Sequence, residues 1–173
     1  MKILIVEDDT MLRNWLSMLL SSLSDYQLQI YEASDGLEAL EVCQKMPVEL
    51  VITDIKMPRM NGLKTAEEVR KRHPDIQIVL ISAYSDFSFA KQAIKLGVTD
   101  YLLKPYLDSE LRETLDKVIA RVREREDTLS MLSYSNYLVE DGKSAFDFYR
   151  DLEKDLLWDV FFGRRDRDKL EKE

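Results

Sequence analysis

The chain has 173 residues, 45% of them apolar and 34% charged, with a formal net charge of −8. That length supports one full core plus an appendage and is short for two large domains. A single cysteine excludes an internal disulfide framework, the absence of any run of about 18 apolar residues argues against a membrane-spanning helix, and so acidic a chain is not expected to bind nucleic acid unaided.

The chain opens on Ile3 to Val6, a short apolar run that leads directly into acids. It lacks the length and cleavage site of a signal peptide, so a cytoplasmic setting is expected. Met11 to Leu23 then has helical spacing through Leu12, Trp15, Leu16, Leu19 and Leu23. Leu28 and Ile30 alternate with Gln27 and Gln29, which predicts a strand with one wet face. Leu37, Leu40 and Cys43 predict a second helix, with Cys43 as a small core residue. Leu50, Val51 and Ile52 form a second dense apolar run, ending at Thr53-Asp54. After the Pro58 to Gly62 turn, Leu63, Ala66 and Val69 mark a third helix, stopped at His73-Pro74. His73, the one histidine, reads as a surface helix terminator. Ile76, Ile78, Val79, Leu80 and Ile81 form a third run. A helix through Phe87, Ala90, Ala93 and Ile94 ends at Gly97. Tyr101 to Leu103 form the last strand, before Lys104-Pro105, and Asp108 or Ser109 is the expected cap of a fifth helix.

Five strand–helix alternations within about 120 residues predict an α/β fold: a doubly wound, five-stranded parallel sheet with helices on both faces. Three strands are almost continuously apolar, as central parallel strands should be, and the second alternates like an edge.

From about residue 107 the pattern changes. With Leu115, Val122, Leu129 and Asn136 at heptad position a, position d takes Leu111, Val118, Arg125, Leu132 and Val139. Seven of these nine are apolar, which predicts an extended helix whose first half packs partly on the sheet and whose second half can pair as a coiled coil. A break is expected at Gly142. A further amphipathic segment follows, through Phe146, Tyr149, Leu152, Leu156, Trp158, Val160 and Phe161, up to Gly163.

Parallel strands would bring their carboxyl ends to one edge, where ligand chemistry gathers in such folds. The first delivers Glu7, Asp8 and Asp9; the third, Asp54; the fourth, Ser82; the fifth, Lys104. Clustered carboxylates need a compensating cation, and Mg²⁺ suits an all-oxygen set that keeps waters for phosphate to replace. A carboxylate in such a cluster can act as nucleophile toward a phosphoryl group, with Lys104 and Ser82 placed to hold its oxygens. Taken singly, each of these residues is an ordinary cap or turn residue. Their joint placement at separate strand ends carries the reading.

Val6-Glu7-Asp8-Asp9, the run from Thr53 to Gly62, Ile81-Ser82-Ala83 and the run from Asp100 to Pro105 together resemble the signature blocks of response regulator receiver domains. The resemblance covers roughly residues 1–122 and implies the flavodoxin-like strand order. It implies that Asp54 accepts phosphate from a histidine kinase. It implies a Mg²⁺ site made of Asp8, Asp54, the Lys56 main-chain carbonyl and, through water, Glu7. Asp9 falls outside this set, as a cap for the first helix. Ser82 and Tyr101 match the switch pair. Lys104 matches the phosphate-binding lysine and would precede a cis proline. Residues 123–173 resemble, more loosely, the linker of AraC/YesN-type regulators, whose DNA-binding part lies C-terminal to it. That output domain is expected to be absent from this chain, so that DNA is reached only through it, and a homodimer is expected through the helical linker. A receiver-plus-dimerisation adaptor without DNA-binding output is the open alternative. A phosphatase of the haloacid-dehalogenase type would need a second acid two places after Asp54, where this chain has Lys56.

Overall fold

A computed structural model describes residues 1–83 and 87–140, and the side chains of all these except 87 and 131–140. The expected break at Gly142 and the amphipathic segment from Phe146 to Gly163 lie outside the described residues, as do the side chains of Phe87, Leu132, Asn136 and Val139.

The elements alternate as β1 (Lys2–Val6), α1 (Thr10–Ser22), β2 (Gln29–Ala33), α2 (Gly36–Lys45), β3 (Leu50–Asp54), α3 (Gly62–Arg72), β4 (Gln77–Ser82), α4 (Phe87–Lys95), β5 (Asp100–Leu103) and α5 (Asp108–Glu140). The strands form one parallel sheet in the order β2-β1-β3-β4-β5, the flavodoxin-like order. β2, the strand read as an edge, is one. Contacts divide the chain into two units, residues 1–123 and 124–173.

The sheet buries both faces, because successive side chains of a strand point to opposite sides. Leu4, Val6, Val51, Ile78 and Leu80 face α2, α3 and α4. Ile3, Ile5, Leu50, Ile52, Val79 and Ile81 face α1 and α5. The first half of α5 is held in this second core by Leu111, Leu115 and Val118, all at most 1% exposed. The heptad positions of that half are therefore occupied within the domain.

Local chemistry sets most helix ends. Asp9 caps α1, its carboxylate accepting from the N–H groups of Met11 and Leu12. Asn61 caps α3 by accepting from Lys64. His73 is the residue that ends α3. Gly97 takes φ +63 where the chain leaves α4, a conformation that suits glycine. α5 differs from expectation. It begins at Asp108, so the residue before it is Leu107, whose N–H donates to Glu110 Oε2 at 2.7 Å. A reciprocal side-chain bond from the third helical residue fixes this end, rather than a cap by Asp108 or Ser109.

The faces of three helices also differ from expectation. Of the residues read as one stripe on α1, Leu12 and Trp15 are 44% and 48% exposed, while Leu16 and Leu23, joined by Leu20, fill the core. On α2, Leu37 is exposed while Ala39 and Cys43 are buried. On α4, Ile94 is 79% exposed, and Phe89 and Ala93 face the sheet, as does Leu96 just beyond the helix. Each helix carries more apolar residues than one face can hold, so apolarity alone did not select the buried stripe. No helix among the described residues is long and apolar enough to cross a membrane.

Candidate functional site

Parallel pairing puts the ends of β1, β3, β4 and β5 along one edge of the sheet. Asp54 ends β3 and pairs in register with Ile81, and Val6 of β1 pairs with Thr53. Glu7 follows β1 directly and Lys104 follows β5.

Lys104 joins the two acids. Its Nζ donates to Glu7 Oε2 at 2.7 Å and to Asp54 Oδ1 at 2.8 Å. The Glu7 and Asp54 side chains are each about 10% exposed, so these bonds lie in a partly dehydrated site, where charges interact more strongly than in water. Burial pushes the Glu7 carboxyl above its usual range, and the charge of Asp54 adds to the rise. Lys104 opposes both. The Lys104 ammonium is itself disfavoured by burial, but its two carboxylate partners outweigh this and hold it charged more firmly than usual. The second oxygen of Asp54, Oδ2, accepts from the N–H of Lys56 at 2.7 Å. Both oxygens of the carboxylate are therefore oriented.

The loop behind Asp54 is packed to contact. Gly62 donates its N–H to the Ile55 carbonyl at 2.9 Å. A Cβ at position 62 would overlap the Asp54 carbonyl oxygen, so only glycine fits.

Asp8 is exposed at the start of the β1–α1 loop. Ser82 ends β4, is 1% exposed, and its carbonyl accepts from the Lys104 N–H at 2.8 Å. Tyr101 pairs with Leu80, and Ser82 with Leu103. Ser82 and Tyr101 therefore emerge on one face of neighbouring strands, two rows apart. Tyr101 is half-buried against the core beneath α2, α3 and α4. The Lys104–Pro105 bond is cis, as expected. Of the expected set, Glu7, Asp54 and Lys104 are in direct contact. Among the described residues no group of three or more His, Cys, Asp or Glu stands assembled as a metal cluster. The donor chemistry nonetheless fits Mg²⁺: Glu7, Asp8, Asp54 and the Lys56 carbonyl offer only oxygen, and the Glu7 carboxyl, raised chiefly by burial and further by the charge of Asp54, is one whose ionised form a dication would favour.

The sequence reading missed two supports of this site. Asp35, 1% exposed, caps α2 and is ion-paired with Arg59 in the loop that follows Asp54. Asp100 accepts from Thr114 Oγ1 at 2.9 Å and Lys117 Nζ at 2.8 Å, tying β5 to α5. Asp35 before Gly36 and an apolar run was a visible cap signal, whereas the partners of both acids are distant in sequence and left no signal.

Residues 3–116 match the response regulator receiver domain family. An uncharacterized response regulatory protein of Staphylococcus epidermidis is 37% identical over 124 residues, 72% of this chain and 49% of that protein. The transcriptional regulatory protein HptR of Staphylococcus aureus is 36% identical over 126 residues, again 72% and 49%. The chain thus spans about half the length of the curated relatives it matches. The response regulator protein TrrA of Thermotoga maritima, solved in complex with Mg²⁺-BeF, is 32% identical, with a TM-score of 0.60 over 68% of this chain and 97% of that one. The sheet order, the strand-end acids joined through a lysine and these matches lead to one conclusion: this chain belongs to the response regulator receiver family and carries the receiver domain of a two-component response regulator.

Proposed function

We propose that Asp54 is the phosphoacceptor and that a histidine kinase is the donor. The observation that carries this reading is the contact of Lys104 with both Glu7 and Asp54 at the ends of three strands. In the transfer, an Asp54 carboxylate oxygen attacks the phosphorus. The bond from phosphorus to the donor histidine nitrogen breaks, and that nitrogen keeps the bonding pair. The product is an acyl phosphate on Asp54. Lys104 turns from the carboxylate toward a phosphoryl oxygen and stabilises the charge there. Asp8, Asp54, the Lys56 carbonyl and, through water, Glu7 would hold Mg²⁺, which neutralises phosphate charge when bound. The domain acts as a phosphate receiver that assists its own labelling.

The readout proposed is a switch through Ser82 and Tyr101. A phosphoryl group adds about −1.5 to −2 charge. Ser82 turns its hydroxyl toward that charge, and Tyr101, on the same face of the next strand, moves into the space released. This reshapes the surface of α4 and β5. Residues 1–122 form the proposed receiver and residues 123–173 a helical linker that pairs two copies. Control of transcription by the whole protein is proposed from the name of the staphylococcal relative.

The test is intact mass after incubation with acetyl phosphate, with and without Mg²⁺, for wild type and Asp54→Asn. One phosphate that needs Mg²⁺ and is absent from the variant is expected. An adduct of equal yield on Asp54→Asn would overturn the assignment.

A further inference from the structure

Beside the acidic site lies a cavity of about 540 Å³. α1 supplies one wall through Leu12, Trp15 and Leu16, and the turn after β5 supplies the other through Pro105 and Tyr106. Ile52 and Ile81 form part of the lining from the sheet. Among the described residues the charged lining is Glu7, Asp54 and Lys104, with Lys104 in contact with both acids at the polar end. The volume falls within the range of small-molecule sites, and the composition has their usual form: apolar walls with a few convergent polar groups.

We propose that this cavity binds a small organic cation, with a flat apolar body between α1 and the β5–α5 turn and its amine or amidine head at Glu7 and Asp54. Two features set the sign of the head. Two carboxylates face a single ammonium at the polar end, which leaves one negative charge in excess. Trp15 and Tyr106 stand with ring centroids 6.0 Å apart, and the Trp15 ring, half-exposed, offers a π-face to a cation or a flat body. Burial pushes the Tyr106 hydroxyl up to about 12, so that ring brings no negative charge of its own at neutral pH. An occupant's head engages the same Asp54 carboxylate that the proposed metal and phosphoryl group would use. Occupancy therefore opposes phosphorylation, a consequence that rests on Asp54 being the phosphoacceptor.

Three probes of similar body and different charge test this on the full chain in metal-free buffer: benzamidine, benzyl alcohol and benzoate, followed by calorimetry and by Trp15 fluorescence. Benzamidine is expected to saturate with an affinity roughly tenfold or more above the other two. Leu12→Trp, at a half-exposed wall position, is expected to weaken benzamidine by a similar factor by narrowing the mouth. Trp15→Phe is expected to abolish the fluorescence change while the heat of binding persists. No saturation, or equal affinity for all three probes, overturns the proposal. In a second arm, at limiting Mg²⁺, benzamidine should slow labelling by acetyl phosphate, and excess Mg²⁺ should bring the rate up to that of the same Mg²⁺ without benzamidine. Slowing that Mg²⁺ does not relieve overturns the competitive placement. Absence of labelling under any condition overturns the phosphoacceptor reading alone, since the calorimetric result stands without it.

Discussion

Arg59, in the loop that follows β3, reaches the buried carboxylate of Asp35 at the start of α2. The two oxygens of Asp35 divide the work. Oδ1 accepts from the N–H groups of Leu37 and Glu38, at 2.7 and 3.1 Å, and Oδ2 faces the Arg59 guanidinium. Arg59 has φ +61, a left-handed conformation uncommon for a residue with a side chain. The pair therefore holds a strained loop residue against a fixed helix end, three residues from Lys56. Asp35→Ala removes cap and pair together and should cost about 1–2 kcal/mol of stability, mostly from the cap. Arg59→Ala should cost less, because its side chain is 61% exposed and exposed pairs contribute about 0–1 kcal/mol. Urea unfolding followed by circular dichroism compares them. A loss for Arg59→Ala that equals or exceeds that for Asp35→Ala would show that the ion pair dominates the cap.

Lys104 bridges two acids in the free protein and would hold a phosphoryl oxygen after transfer. Lys104→Met should lower the rate of labelling by acetyl phosphate by about 10²–10³, the loss typical of one electrostatic contact to a developing charge. Mg²⁺ should still be required. Time-resolved intact mass gives the rate, and an unchanged rate would remove Lys104 from the phosphoryl site.

The sequence showed the central strands and the strand-end chemistry for a common reason. Leu50, Val51 and Ile52 are apolar on both faces because both faces are covered, and a parallel sheet brings the residues that follow such runs to one edge. Glu7, Asp54 and Lys104 could thus be grouped across 97 residues of chain. The helix faces were less legible. Trp15, Leu37 and Ile94 fit an apolar period yet are exposed, because spacing gives a stripe but does not say which of two stripes meets the sheet. The Asp35–Arg59 and Asp100–Lys117 pairs depend on tertiary placement and have no local signature.

Gly62 should tolerate no side chain. Its missing Cβ makes room for the Asp54 carbonyl, a backbone group that cannot rotate aside. Gly62→Ala should destabilise by about 1–3 kcal/mol, as overpacking does, and should slow labelling by displacing Asp54. Thermal unfolding and labelling rate are measured on the same sample. A destabilised variant that labels at the wild-type rate would show that the loop, and not the acceptor, absorbs the clash.

Asp100 predicts an acid-sensitive contribution to stability. Burial tends to raise its carboxyl, but Lys117, the Tyr101 N–H and Thr114 together outweigh this and hold it below its ordinary value of 3.8. A lowered folded value means stabilisation that is present above 3.8 and lost as pH falls through the folded value. Asp100→Ala also leaves the Thr114 hydroxyl, 1% exposed, without this partner, at a cost of about 1–3 kcal/mol. The gap in melting temperature between wild type and Asp100→Ala should therefore be wider at pH 7 than at pH 3. A gap independent of pH would assign the loss to packing alone.

Dimerisation should depend on the second half of α5. Leu111, Leu115 and Val118 are spent on the domain core, and Val122 packs partly against it. Leu129 continues the same heptad stripe and is 54% exposed. An exposed leucine at position a gains most by meeting its counterpart in a second copy. Burying it contributes about 1.5–3 kcal/mol, so Leu129→Asp should weaken self-association by roughly tenfold or more while labelling at Asp54 stays intact. Sedimentation velocity over a concentration series reads the association, and intact mass reads the label. A sedimentation profile identical to wild type would assign Leu129 to a solvated helix face and place any dimer contact elsewhere.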